Sequence, residues 1–177
     1  MFQPVDAYKP QQLKQFEGYK CPSGLGANYL TFNDPAYVFV SGSGGNPCGH
    51  CLLMIDSKVG YVHAAQPGKH RALFIPSEEF DFYLHDCRKR VWDYKPIQFQ
   101  TGLLDAARIL TNKFLKDGYG WWPWHDCVTM VDEIATAGGS DYVAKTVFPD
   151  KAVKGIHRQN DVLVPGKSLF KQIFPNL

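Results

Sequence analysis

The sequence predicts an α+β domain in which a small antiparallel sheet packs on helices. Three observations lead there: short apolar runs at 52–55 and 61–65 separated by Asp56-Ser57-Lys58-Val59-Gly60, an alternating stretch at 88–94, and two helical periodicities in the second half of the chain. A length of 177 residues fits one domain over 1–177, large enough for a core without metal or disulfide staples.

The elements follow in order. Residues 1–47 hold turn signals, Gly24-Leu25-Gly26, Asn33-Asp34-Pro35 and the Gly/Ser-rich run at 41–47, around one strand, Ala36 to Val40. Leu52 to Ile55 and Tyr61 to Ala65 read as a β-hairpin with a four- or five-residue loop. A third sheet strand is expected at Arg71 to Ile75, closed by Pro76, while Ser77 to Cys87 has no decisive pattern. Arg88 to Tyr94 alternates as a strand, with Val91 and Trp92 on opposite faces. Thr101 to Lys116 is periodic as a helix, with Leu103, Ala107, Leu110 and Phe114 on one stripe and Thr101 as its cap. A second helix from about Cys127 to Ala137 has Asp126 at its N-cap, an apolar face of Val128, Val131 and Ile134 or Ala135, and Gly138-Gly139 as its stop. Asp132 and Glu133 read as its solvated face, and the last forty residues as a wrapping tail with one short helix.

Composition excludes several functions. Lys plus Arg at 19 against Asp plus Glu at 17 leaves +2 without clustering, so no electrostatic footprint for nucleic acid appears. Aromatic residues at 14% beside 20% charged residues supply enough apolar surface to exclude disorder over most of the chain. No apolar run is long enough for a membrane span, and Met1 to Phe16 has neither a basic leader nor an apolar core, so no export signal is expected. Five cysteines at irregular spacing do not form a secreted disulfide framework, and at least one thiol should be free.

Chemistry concentrates on Cys127. At the start of a helix, unpaired N–H groups and the helix dipole favour a thiolate and can also hold the oxyanion that forms when sulfur attacks a carbonyl. The same position equally suits a small buried residue on a core helix. A nucleophilic thiol needs a base, and His50 heads the first hairpin strand while His63 lies in the second. With a four-residue loop Ile55 pairs Gly60, which sets His50 opposite Ala65 and diagonal to His63, both imidazoles on one face within ~8 Å. A five-residue loop would bring Gln66 opposite His50 instead. Trp121, Trp122 and Trp124 lie just before Cys127, either lining a substrate groove or packing the core around Pro123.

The segments Gly49-His50-Cys51-Leu52-Leu53-Met54-Ile55, Gly60-Tyr61-Val62-His63 and His125-Asp126-Cys127-Val128-Thr129-Met130-Val131-Asp132-Glu133-Ile134 resemble the circularly permuted NlpC-type papain-like superfamily. That superfamily includes bacterial cell-wall peptidases and the lecithin:retinol acyltransferase group. The resemblance implies a papain-like fold with Cys127 as nucleophile, His50 as general base and then general acid, and His63, or Gln66, as the residue that orients it. Trp122, Trp124 and Gln66 would contact substrate. No cofactor and no metal are called for. The activity implied is cysteine-dependent hydrolysis of an amide, foremost a peptidoglycan peptide. Acyl transfer or thioester cleavage would use the same site. Size, substrate and the missing leader together suggest an antibacterial effector, made in the cytoplasm and carried by a type VI-like secretion system to a target periplasm, with an immunity protein as partner.

Two rival readings rest on local identity. Cys48-Gly49-His50-Cys51 matches the dithiol motif of protein disulfide isomerases, but redox chemistry needs the first cysteine at a helix start, and a short apolar run broken at Gly60 follows here. Cys48, His50, Cys51 and His63 could also be read as zinc ligands, although their spacing matches no common structural pattern.

Overall fold

The computed structural model describes residues 30–41, 48–64, 72–120 and 126–160, with side chains as far as 154. Gln66, His70, Trp121, Trp122, Trp124 and His125 lie outside the described residues, as do Cys21, the glycines at 24–26 and Gly42, Gly44 and Gly45.

Five strands, β1 (Ala36–Val40), β2 (His50–Asp56), β3 (Gly60–Ala64), β4 (Ala72–Pro76) and β5 (Val91–Pro96), form one sheet in the order β4-β3-β2-β1-β5. Every pairing is antiparallel. Helices α1 (Phe80–Asp86), α2 (Leu104–Asp117), α3 (Cys127–Ala137) and α4 (Pro149–Asn160) complete the described part, so the α+β expectation holds at that level. The inner strands are apolar runs rather than alternating ones because both sheet faces are covered. Tyr37, Phe39, Cys51, Leu53 and Val62 face the core shared with α2 and α3. Val38, Val40, Leu52, Met54 and Tyr61 face Phe80, Tyr83 and Leu84 of α1. The second cover comes from the segment at 77–87 that had no decisive pattern; its Phe80, Tyr83 and Leu84 stand at i, i+3 and i+4 and make one apolar stripe.

The hairpin differs from expectation in its turn. Asp56 extends β2, and its carboxylate accepts from Lys58 N at 2.7 Å while its carbonyl accepts from Val59 N at 3.0 Å, leaving only Ser57, Lys58 and Val59 in the turn. A register shift between Met54 and Asp56 absorbs the difference, so Leu53 pairs Val62 and Met54 pairs Tyr61. That register equals the one a four-residue loop would give, and it sets which side chains meet at the far end of the hairpin.

The helix boundaries also differ. Thr101 does not cap α2: residues 101–103 form a 3-10 turn with no side-chain cap bond, and α2 begins at Leu104. Its buried stripe is Ala107, Thr111, Phe114 and Leu115, whereas Leu103 is exposed. Thr111 can be buried because its hydroxyl donates to Ala107 O at 2.8 Å. Helix α1 ends with Arg88 at φ 51 and bonds from Arg88 N to His85 O and Lys89 N to Leu84 O. This is a left-handed helix stop, and it delays β5 to Val91. The tail contributes α4. Among the described residues no helix is long and apolar enough to cross a membrane.

Candidate functional site

Helix α3 starts where the sequence places it. Asp126 is extended, and its carboxylate accepts from Val128 N at 2.9 Å and Thr129 N at 3.1 Å, while Thr129 Oγ1 accepts from Asp126 N at 2.6 Å. This reciprocal cap fixes Cys127 as the first helical residue. Packing of Val128, Met130, Val131 and Ile134 holds α3 against the sheet, so the Cys127 side chain meets the start of β2. There Cys51 N donates to Cys127 Sγ at 3.3 Å. A backbone nitrogen lies about 2.4 Å from the preceding Cα, so Sγ is within roughly 6 Å of His50 Cα.

His50 and His63 meet as the hairpin register dictates. They share the sheet face toward α1, His50 Nε2 lies 2.8 Å from His63 Nδ1, and the rings are edge to face with centroids 5.0 Å apart. The His63 ring also lies 5.6 Å from that of Tyr83 on α1. His63 is buried, and His50 is half-buried at the strand end. Gln66, the alternative partner, cannot be placed because it is not among the described residues.

The electrostatics correct one expectation. A helix N-terminus favours a thiolate, and the N–H groups of Cys51, Cys127 and Val128 do pull the Cys127 thiol down. Burial and the Asp126 carboxylate outweigh them, and the Cys127 pKa is pushed up to about 12. Burial, then the neighbouring His63 and Lys89, holds the His50 imidazole well below its ordinary pKa. The resting pair is therefore a neutral thiol and a neutral imidazole.

A second correction concerns α3. Asp132 and Glu133 are half-buried anchors rather than a solvated face. Asp132 accepts from Tyr37 Oη at 2.7 Å, Ala144 N at 2.9 Å and Lys145 N at 2.8 Å, and Glu133 accepts from Tyr119 Oη at 3.0 Å.

The rival motifs do not converge. Cys48 lies in a turn and Cys51 in a strand, so the pair does not open a helix. Cys51 faces α3 while His50 and His63 face α1, so the four side chains do not surround one point. Cys51 and Cys127 are free thiols. Gly49 is needed just before His50, because φ is +83° and a Cβ there would lie 2.3 Å from Trp92 Cζ3 and 2.7 Å from Val40 O. Gly49→Ala is expected to cost about 2 kcal/mol through strain and overpacking, read as a lower urea midpoint. An unchanged midpoint would show that β2 can shift at no cost.

Two residues at this site were not singled out from the sequence. Tyr83 was findable from the Phe80, Tyr83, Leu84 spacing. Lys89, in the run Arg88-Lys89-Arg90, had no distinguishing signal, because a solvated charge run looks the same. No protein-family model, curated protein or solved structure matches the chain.

Proposed function

We propose that the chain is a cysteine-dependent amide hydrolase of papain-like, permuted NlpC-type architecture, acting on peptidoglycan peptides. One observation supports the reading: at the first two residues of β2, His50 is hydrogen-bonded to His63 and the next peptide, Cys51 N, donates to Cys127 Sγ, on elements distant in sequence. His50 spends Nε2 on His63, so in this reading Nδ1, the ring nitrogen nearer the backbone, is the one that takes the thiol proton. For Nδ1 to accept a proton, Nε2 of His50 must carry one and donate it to His63 Nδ1.

Because both groups rest neutral, the chemistry is general-base catalysis rather than attack by a preformed ion pair. Sulfur bonds to the carbonyl carbon as its proton passes to His50 Nδ1, and the imidazolium is stabilised through the bond to His63. The oxyanion is held by N–H groups at the start of α3. His50 then protonates the leaving amine, and water activated by the same nitrogen releases the acyl group and restores the thiol.

The test is mass spectrometry of purified peptidoglycan fragments incubated with wild type, Cys127→Ala and Cys48→Ala. New fragments are expected with wild type and Cys48→Ala and none with Cys127→Ala. Loss with Cys48→Ala alone would reinstate the dithiol motif, and intact fragments with wild type would remove the wall substrate. An antibacterial effector role follows from that substrate: wild type directed to a bacterial periplasm is expected to lyse cells, and Cys127→Ala is not. Equal harmlessness of the two would remove it.

A further inference from the structure

A run of rings joins the two candidate histidines to α1. On β3, Tyr61 and His63 stand two residues apart and so share a face of the sheet. Tyr61 stacks on Phe80 with ring centroids 4.0 Å apart and planes at 15°. Phe80 lies 6.1 Å from Tyr83 at 24°, and Tyr83 lies 5.6 Å from His63 at 53°. The strand thus grips α1 at Tyr61, and α1 returns a ring to the same strand at His63, whose own ring meets His50 edge to face.

The return bears on how His63 must sit. Its bond to His50 Nε2 is made by Nδ1, at 2.8 Å. The second side-chain torsion of a histidine is broad and roughly two-fold, and a half-turn about it exchanges Nδ1 with Cδ2, which puts a C–H where His50 needs an acceptor. A single hydrogen bond contributes little net hold against that turn. Packing is the stronger constraint in a close-packed interior, and Phe80, Tyr83 and His63 are all buried. Tyr83, backed by Phe80, is the α1 side chain whose ring lies against the imidazole.

We infer that Tyr83 is a positioning residue of the candidate base, its ring holding His63 in the orientation that presents Nδ1 to His50. The hold itself stands on the ring geometry; its effect on turnover rests on the hydrolase reading above. The imidazolium that forms on His50 in that reaction is stabilised through His63 only while Nδ1 faces it, so the ring contributes to kcat and not to substrate binding.

The experiment separates these two layers. The first readout is the nitrogen–nitrogen coupling across the His50–His63 hydrogen bond, measured by NMR on 15N-labelled protein; the second is kcat and KM on peptidoglycan fragments. Both are taken on wild type, Tyr83→Phe, Tyr83→Leu and Leu84→Ala, the last removing a different buried α1 side chain, at a temperature where circular dichroism shows each protein folded. Tyr83→Leu is expected to lose the coupling and to lower kcat about tenfold with KM within about twofold of wild type. Tyr83→Phe, which keeps the ring, is expected to retain both, and so is Leu84→Ala despite a lower urea midpoint. A coupling unchanged in Tyr83→Leu overturns the hold, as does its equal loss in Leu84→Ala or in Tyr83→Phe. Coupling lost with kcat unchanged overturns the effect on turnover. Should Tyr83→Leu not fold, wild type decides: nuclear Overhauser contacts between the Tyr83 ring protons and the His63 Cδ2 and Cε1 protons support the hold, and their absence overturns it. A coupling that depends on Tyr83, in a protein whose wild type cleaves no fragment, supports the hold and removes the hydrolase reading.

Discussion

The fold is expected to collapse in alkali, losing most of its stability between about pH 10 and 11, because its core buries acids that must stay protonated. Cys51, Tyr37, Tyr61 and Tyr83 are at most 2% exposed, and Cys127 is 6% exposed. Burial is the first cause of a raised pKa in every one of them. The sign follows from proton counts. In the unfolded chain a thiol releases its proton near pH 8.5 and a phenol near 10, whereas the folded Cys127 holds its proton to about 12 and the others are likewise held above their ordinary values. Above pH 8.5 the unfolded state binds fewer protons than the native state, so stability falls as pH rises. Each group contributes about 1.4 kcal/mol per pH unit. Two thiols act first and three tyrosines join near pH 10, giving a slope of roughly 7 kcal/mol per unit, comparable with the whole stability of an ordinary domain. Tyrosinate absorbance and near-UV circular dichroism should therefore change together in one steep transition. Gradual phenol ionisation near pH 10 with the dichroism intact to pH 12 would contradict the burial of these rings.

The same balance explains where sequence reasoning about the site stopped. The start of α3 was legible because Asp126 stands at its N-cap, a local pattern, whereas the reciprocal bond from Thr129 emerged only in the structure. The protonation state of Cys127 was not, because burial and a neighbouring carboxylate decide it, and burial is a property of the whole fold. The His50–His63 pairing was legible only as one of two registers. Asp56 resolves it by capping the turn and bulging β2, a combination that alternation alone does not encode. Asp132 was misread for a related reason: periodicity marks a polar helix face without distinguishing solvent from buried hydroxyl and N–H donors. Lys89 illustrates the limit further, since its bond to Ser41 O depends on a helix stop at a non-glycine residue, Arg88, where no turn signal stands.

Asp132 carries the second large effect. Its carboxylate ties α3 to β1 through the fully buried Tyr37 and to the chain after α3 through Ala144 N and Lys145 N. Removing the acceptor strands a phenol in the core and leaves two backbone donors to find new partners. Hydrogen bonds to a charged acceptor contribute about 1.5 to 3 kcal/mol each before relaxation, so Asp132→Ala is expected to cost about 3 to 4 kcal/mol. For a domain of this size that corresponds to a drop of roughly 6 to 15 °C in Tm. Tyr37→Phe removes only one donor, leaves the carboxylate with its two N–H partners, and should cost about 1 kcal/mol. The double variant should be less destabilised than the sum of the two, because the stranded phenol is then gone. Since α3 carries Cys127 at its first residue, Asp132→Ala should also slow the peptidoglycan cleavage proposed for Cys127. Calorimetry of the three variants decides the matter: an Asp132→Ala protein within 0.5 kcal/mol of wild type, on the order of an ordinary surface substitution, would return Asp132 to the solvated face that helical periodicity alone assigns it.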